Sequence, residues 1–195
     1  PMVSVQESEV ASQTALILAT SADRNITAVE EELDASIRKI RGAIASNGLE
    51  AAGPARLITV EFADKKYSFE VAIPVRKPDP AAAAAEATAA AEAPAEAPVV
   101  DSEAPAGATP AVAVAPLEGL NLPEGIVSGV TYGGRVVMTD YAGHPASLPL
   151  IRDMLRAYAA THGLVTQDRG YEEYLTEITE TAAEDSTFKV YWPIR

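Results

Sequence analysis

The sequence contains no cysteine, and this absence excludes several kinds of chemistry at once. Without Cys among its 195 residues, the chain cannot form disulfides, use a thiolate nucleophile or bind a metal through sulfur. Histidine is almost as scarce, since His144 and His162 are the only two, and their separation fits no metal-ligand spacing. The sequence therefore predicts neither a metal site nor a cofactor.

Positive charge is also in short supply. The chain has 15 Lys and Arg against 28 Asp and Glu, a formal net charge of −13. This balance argues against nucleic acid or an anionic membrane as a direct partner. It is compatible with a cationic small molecule, or with a protein partner reached through the acidic surface, although acidic surfaces are also an ordinary means of keeping a protein in solution.

Long hydrophobic runs are missing as well. No apolar stretch is long enough to cross a bilayer, and no signal peptide is recognisable. The start Pro1-Met2 is typical of a cloned start behind a tag remnant. The sequence therefore leaves the compartment open between the cytoplasm and an exported location.

Residues 78–116 lack aromatic side chains and consist largely of Ala, Pro and Glu. A segment with so little to bury cannot offset the entropy lost on ordering. We therefore predict a disordered linker at 78–116 that separates two halves, residues 1–77 and residues 117–195. The linker is also a candidate region for contact with a protein partner.

The two halves repeat the same patterns in the same order. The matching segments are Val10–Thr20 and Val130–Asp140 (offset 130 − 10 = 120), Gly48-Leu49 and Gly163-Leu164 (115), Gly53–Leu57 and Gly170–Tyr174 (117), and Phe69–Val75 and Phe188–Ile194 (119). Each half is predicted to be a strand-helix-strand-strand unit. The predicted fold class is α+β: duplicated β-α-β-β units with pseudo-two-fold symmetry, an antiparallel sheet, two long helices and a cleft between the halves. Two such units either cover each other's sheets or share one continuous sheet.

The predicted helices carry start and stop signals. Thr27 with Glu30 fits a capping box at the first helix, and Ser147 is a plausible N-cap for the second. Pro149 would then fall in the first turn, where its missing N–H costs nothing. Gly48 can end the first helix because glycine accepts a positive φ.

These patterns resemble a known family. The residues that carry the resemblance are Val10–Ala15, the helix end at Gly48-Leu49, Ala72–Val75, Gly163-Leu164, Gly170–Leu175 and Val190–Ile194. Over residues 3–75 and 125–195 the chain resembles the GyrI-like, or bacterial effector-binding, domain. The resemblance implies tandem modules with a ligand cleft between them. No helix-turn-helix segment is present, so the chain is similar to stand-alone members, some of which bind amphipathic or cationic compounds, some of which are linked to gyrase inhibition, and some of which hydrolyse cyclopropane-bearing toxins.

Candidate site residues follow from where the copies differ. At offset 117, Ala55 is replaced by Glu172 and Leu57 by Tyr174. The resemblance implies that Glu172 is the cleft carboxylate that meets a ligand's positive charge, with Tyr174 as an aromatic wall. The residues alone favour a different interpretation, in which Glu172 and Glu173 are a solvated pair on an edge strand.

Three further residues are candidates for the cleft wall. They are Tyr141, Trp192 and Met138, and each has core packing as its alternative. The favoured function is binding of an amphipathic or cationic small molecule, with catalysis less favoured. The alternatives are a hydrolase that opens cyclopropane-type toxins with Glu172 and Tyr174 as catalytic groups, and a non-catalytic envelope or protein-interaction module.

Overall fold

The computed structural model describes residues 3–78, 114–176 and 186–195. Most of the predicted linker, residues 79–113, lies outside this part of the chain. Its predicted disorder therefore stays a prediction. No helix in the described ranges is long and apolar enough to span a membrane.

The secondary structure follows the predicted repeat. The strands are β1 (Gln6–Val10), β2 (Thr14–Asp23), β3 (Glu50–Ala51), β4 (Ala55–Ala63), β5 (Lys66–Arg76), β6 (Ile126–Val130), β7 (Gly134–Ala142), β8 (Tyr171–Tyr174) and β9 (Thr187–Pro193). The helices are α1 (Ile26–Ser46) and α2 (Leu148–Thr161), and a short 3-10 turn, Pro145–Ser147, precedes α2.

The two halves share one sheet. The strand order is β1-β7-β9-β8-β4-β5-β2-β6, with β3 paired to β5, and all these pairings are antiparallel. The predicted α+β class and antiparallel sheet are confirmed. Of the two predicted ways of combining the units, the chain uses the continuous sheet.

The pseudo-two-fold axis passes between β4 and β8. In their register Arg56 lies opposite Glu173, and these are equivalent positions of the two copies at offset 117 (173 − 56). The axis exchanges the two neighbouring pairs: Ala55 faces Tyr174 and Leu57 faces Glu172, and offset 117 relates Ala55 to Glu172 and Leu57 to Tyr174. The sequence offset of 117 therefore relates residues of β4 and β8 that the pseudo-two-fold axis makes equivalent in the structure.

The two copies exchange their first strands. Strand β1 pairs with β7 of the second half, and β6 pairs with β2 of the first half. These two strands correspond at offset 120 (126 − 6). The predicted unit has one strand before each helix, which was wrong. Each half has two strands there: the first pairs with the other half, and the second pairs within its own half.

Both helices cover the same face of the sheet, and each seals its own core. Leu33, Ile37 and Ile40 of α1 pack in the first core with Phe69 and Val71. In the second half, residues of α2 pack against β7 and β9; they include Ile151, Leu155, Val137, Phe188 and Val190. The opposite face of the sheet has no helix among the described residues.

The helix ends differ partly from the prediction. The N-cap of α1 is Asn25, whose Oδ1 accepts from the Ala28 N–H at 2.9 Å, so the Thr27–Glu30 capping box is wrong because Thr27 already lies inside the helix. Ser147 precedes α2 but makes no side-chain capping bond. Gly48, with φ at 61°, ends α1 in the predicted left-handed conformation.

Candidate functional site

A cavity of about 280 Å³ opens between the first turns of the two helices and the sheet beneath them. We call it the helix-side cavity. Its apolar walls come from α1, from the start of α2 and from β4; they include Ile26, Val29, Leu148, Pro149 and Leu57. Tyr67, Arg152 and Tyr174 line it from the sheet and from α2. The cavity therefore draws on both halves, as the predicted cleft does.

Glu172 lies directly behind the cavity wall: it is not itself a lining residue, but it contacts Arg152, which is, and it is fully buried, with 0% exposure. One carboxylate oxygen, Oε1, accepts a hydrogen bond from Nε of Arg152. The other oxygen, Oε2, is buried without a hydrogen-bond partner. The solvated-pair interpretation does not hold, because β8 is a central strand between β9 and β4.

Arg152 is the residue that the sequence analysis missed. It lies on α2, contacts Glu172, and its Nη2 donates to the Tyr67 hydroxyl at 3.4 Å. At offset 115 (152 − 37) its equivalent in α1 is the core residue Ile37. A charged residue among the apolar positions of a helix can be recognised in the sequence. Comparing the two copies, which identified Glu172, identifies Arg152 in the same way.

Two tyrosine hydroxyls complete the polar group at the cavity. Burial raises the pKa of Tyr67 to about 12, and Tyr67 shares a 2.8 Å hydrogen bond with Thr59. Burial also raises the pKa of Tyr174 well above its usual value, and the nearby Glu172 charge adds to this effect. Both hydroxyls are therefore protonated at neutral pH and can donate to a ligand.

The raised tyrosine pKa values predict a loss of stability in alkali. A group whose pKa is higher in the folded state stabilises fully below its unfolded pKa, about 10 for tyrosine. For Tyr67 that stabilisation is lost as the pH rises through about 12. Urea unfolding at pH 9, 10.5 and 12 should give a falling free energy of unfolding. In Tyr67→Phe the slope against pH should be shallower, and an unchanged slope would contradict the assignment.

The structure brings only part of the predicted residue set to this cavity. Tyr174 lines it and Glu172 contacts the lining residue Arg152, whereas three others lie elsewhere. Tyr141 is buried in the second core and donates to the His144 carbonyl at 3.0 Å. The Trp192 indole N–H donates to the Gln167 carbonyl at 2.8 Å, and Met138 packs on the helix-free face with Tyr171 and Tyr191.

Metal-ligating side chains do not cluster in the described ranges, where no group of three or more His, Asp or Glu could hold an ion. His144 has a local structural contact: its Nδ1 accepts from the Ala146 N–H at 3.1 Å. The chemistry available at the helix-side cavity is therefore that of a buried carboxylate, a guanidinium and tyrosine hydroxyls.

Comparison with solved structures places this geometry among known folds. The C-terminal domain of EcmrR superimposes with a TM-score of 0.65 at 12% identity, covering 100% of this chain and 99% of that one. EcmrR in its DNA complex gives 0.62 at 14% identity, with 99% of this chain and 57% of that one covered. A hydrolase from Listeria innocua gives 0.58 at 9% identity, with coverages of 98% and 91%.

The sequence comparisons add no relative. No family model matches the chain, and no curated protein matches it significantly. At identities this low the structural likeness establishes the fold alone. The architecture that the sequence resemblance implied is confirmed, and the chain has the fold of the GyrI-like, or effector-binding, domain.

Proposed function

We propose that this protein binds an amphipathic small molecule carrying a cation or a strong hydrogen-bond donor, and holds it in the helix-side cavity. The observation that carries the proposal is the unpartnered Oε2 of the fully buried Glu172. Leaving a buried acceptor unsatisfied costs about 1–3 kcal/mol. A ligand donor that reaches this oxygen recovers that energy.

The apolar walls select the rest of the ligand. Side chains such as Ile26, Val29, Leu148 and Pro149 surround the space above Tyr67 and Tyr174. Burying apolar surface contributes about 25 cal/mol per Å². The volume of about 280 Å³ is small for a ligand site, since such sites usually measure roughly 300–1,000 Å³. We therefore expect a compact aromatic or alkyl group rather than a large multi-ring compound.

Arg152 determines how the positive charge is accommodated. Its guanidinium already satisfies Oε1 of Glu172. A ligand cation at Oε2 can leave that pair intact, so Glu172 becomes the shared counter-charge of two cations. Glu30, at the wall of the same cavity, adds a second negative charge near the ligand and limits the repulsion between the two cations.

The shared fold is compatible with this role. EcmrR is a DNA-bound protein in a larger complex, and this chain corresponds to about 57% of it, including its C-terminal domain. A fold by itself does not determine function. The proposal therefore depends on the cavity and Glu172, and the likeness adds only that the same architecture occurs as a module attached to a DNA-binding protein.

Isothermal titration at pH 7 with benzylamine, whose ammonium group carries both a positive charge and N–H donors, and with uncharged benzyl alcohol as its comparison, tests the proposal on the intact chain. The cation should bind at least tenfold more tightly than the alcohol. Glu172→Gln removes the charge with little change of shape, so affinity for the cation should fall at least tenfold, which corresponds to about 1.4 kcal/mol.

Two further variants make the result interpretable. Glu70→Gln removes one carboxylate that lies outside the walls of the helix-side cavity, and it should bind the cation as the wild type does. Val29→Trp fills the cavity while leaving Glu172 in place, and it should abolish binding. If circular dichroism shows that both proteins are folded and the wild type and Glu172→Gln bind the cation equally, the proposal is wrong.

A hydrolase is the second candidate, favoured by one observation: a buried carboxylate stands beside protonated tyrosine hydroxyls at the cavity. The neighbour from Listeria innocua is described as a hydrolase. In the opening of a cyclopropane ring by water, Glu172 would take a proton from the attacking water as a C–O bond forms and a ring C–C bond breaks, and Tyr174 would assist by protonating the carbon that is released. Incubation with an electrophilic cyclopropane, followed by mass spectrometry, should show water addition that Glu172→Gln abolishes.

A purely protein-interacting role is less well supported by the geometry. It would be favoured by a cleft filled with side chains and by a solvent-facing Glu172. The cavity instead remains open, at about 280 Å³, and Glu172 is buried.

A further inference from the structure

A second cavity lies on the other face of the sheet, where no helix packs among the described residues. Its volume is about 350 Å³, and we call it the helix-free cavity. Arg56 and Ile58 of β4, Tyr171 of β8, Tyr132, and the segment before β8 around Arg169 line it. Strand β8 thus contributes Glu172 to one site and Tyr171 to the other, because adjacent side chains on a strand point to opposite faces.

Arg56 is held rigidly at the wall of this cavity. It is 6% exposed, and its Nη2 lies 2.8 Å from Oε1 of Gln13 and 3.1 Å from Oε1 of Glu173. The guanidinium lies over the Tyr171 ring, 5.4 Å from its centroid. Tyr171 in turn stacks on Tyr191 at 4.7 Å between centroids. The wall is therefore preorganised, with little side-chain entropy left to lose on binding.

Two hydrogen-bond donors on this wall have no acceptor. They are Nε of Arg56 and the hydroxyl of Tyr171, and both are buried. Burial raises the pKa of Tyr171 to about 12, so the hydroxyl carries its proton at neutral pH. Unpaired buried donors are uncommon in folded proteins and often mark a missing partner. The orphan at the helix-side cavity is an acceptor, whereas these two are donors, so the chemistry of the two cavities is opposite.

The helix-free cavity also breaks the symmetry of the repeat. At offset 117 the equivalent of Arg56 is Glu173, and the equivalent of Tyr171 is Pro54 (171 − 117). The donor pair exists on one side of the axis only. A packing role shared by both copies would not require this difference.

We propose that the helix-free cavity is a second small-molecule site, and that it binds a compact carboxylate whose two oxygens accept from Arg56 and Tyr171. Charge-assisted hydrogen bonds from a guanidinium suit a planar carboxylate. The apolar part of the ligand packs on Ile17 and Ile58. Arg169 and Arg195 add positive charge at the same cavity, which Glu70 and Asp168, also in its lining, offset in part. This proposal does not depend on binding at the helix-side cavity.

Benzoate and benzylamine are suitable probes because they match in size and differ in the sign of their charge. Titration of the intact, isotope-labelled chain should give saturable amide shifts with benzoate near Thr131, Gln167 and Asp168. Benzylamine should leave those amides unchanged. Tyr171→Phe removes the orphan hydroxyl alone, so affinity for benzoate should fall about five- to tenfold.

Stability separates a binding role from a packing role for the Tyr171 hydroxyl. Because that hydroxyl has no partner, Tyr171→Phe should unfold at the same or a higher urea concentration than the wild type without ligand. Tyr158→Phe, on α2, is the matched control and should bind benzoate unchanged. Equal benzoate affinity in Tyr171→Phe, or benzoate shifts confined to the helix-side cavity, would overturn the proposal while leaving the proposed function untouched.

Discussion

Replacing Arg152 with methionine is expected to lower the free energy of unfolding by about 3–5 kcal/mol. Methionine keeps most of the side-chain volume but leaves Glu172, which is 0% exposed, without its counter-charge. Removing one partner of a buried pair strands the other charge in a medium of low polarity, which costs more than the pair itself contributes. Urea unfolding at pH 7, followed by circular dichroism, measures the loss.

The double variant Arg152→Met/Glu172→Gln provides the control. With both charges removed, no buried charge is left unpaired, so the double variant should be more stable than Arg152→Met alone. Buried ion pairs can often be replaced by neutral groups at small cost. A double variant that is destabilised by the sum of the two single effects would show that the two residues act independently, contrary to their contact in the structure.

Replacing Phe188 with alanine is expected to cost about 3–5 kcal/mol, the usual range for removing a buried aromatic ring. Phe188 is 2% exposed in the second core. It contacts the ring of Tyr174 edge-on at 5.0 Å and that of Tyr141 at 5.9 Å between centroids. Its loss should therefore also loosen the Tyr174 wall of the helix-side cavity, which weakens cation binding as well as stability.

The equivalent position in the first half gives the matched variant. Phe69, at offset 119 (188 − 69), is 1% exposed in the first core, and Phe69→Ala should cost a similar amount. Because β4 and β8 join the halves in one sheet, each variant should still unfold in a single transition. Two separate transitions, one sensitive to Phe69→Ala and the other to Phe188→Ala, would show that the halves are independent folding units.

Much of the fold could be predicted because the two copies of the repeat are recognisable in the sequence. The offset of 117, taken from Gly53–Leu57 and Gly170–Tyr174, identifies which residues of β4 and β8 are equivalent, whereas the pair on the axis, Arg56 and Glu173, is seen only in the structure. Apolar residues at every second position, Phe69, Val71 and Ile73 in one copy and Phe188, Val190 and Trp192 in the other, indicate β5 and β9. Apolar residues three or four apart, from Ile26 to Ile44, indicate α1. These features are local, since they depend on the period of a strand or a helix.

The exchange of first strands could not be predicted in the same way. Residues 6–10 show that a segment can be a strand, but their pattern does not say which strand lies beside it. The choice of partner depends on how the two halves meet, which is a tertiary property. The Asn25 cap likewise depends on the backbone between β2 and α1, and the sequence offered a competing box at Thr27.

The site was predicted in part for a related reason. Glu172 and Tyr174 were found because they differ from Ala55 and Leu57 in the other copy. Tyr141, Trp192 and Met138 were chosen by residue type and nearness in sequence, and such criteria do not separate the two faces of the sheet. Arg152 would have been found by extending the comparison of the copies from the strands to the helices.

The exchanged strands also bear on how the protein is made. Gln6 pairs with Met138, 132 residues further along the chain (138 − 6). On a ribosome, β1 is synthesised long before β7 exists, and β2 likewise waits for β6. Pairings between such distant segments close slowly because a large loop must form first. The first half therefore carries an unpaired edge on β2 until β6 is synthesised, whereas β7 finds its partner β1 already made.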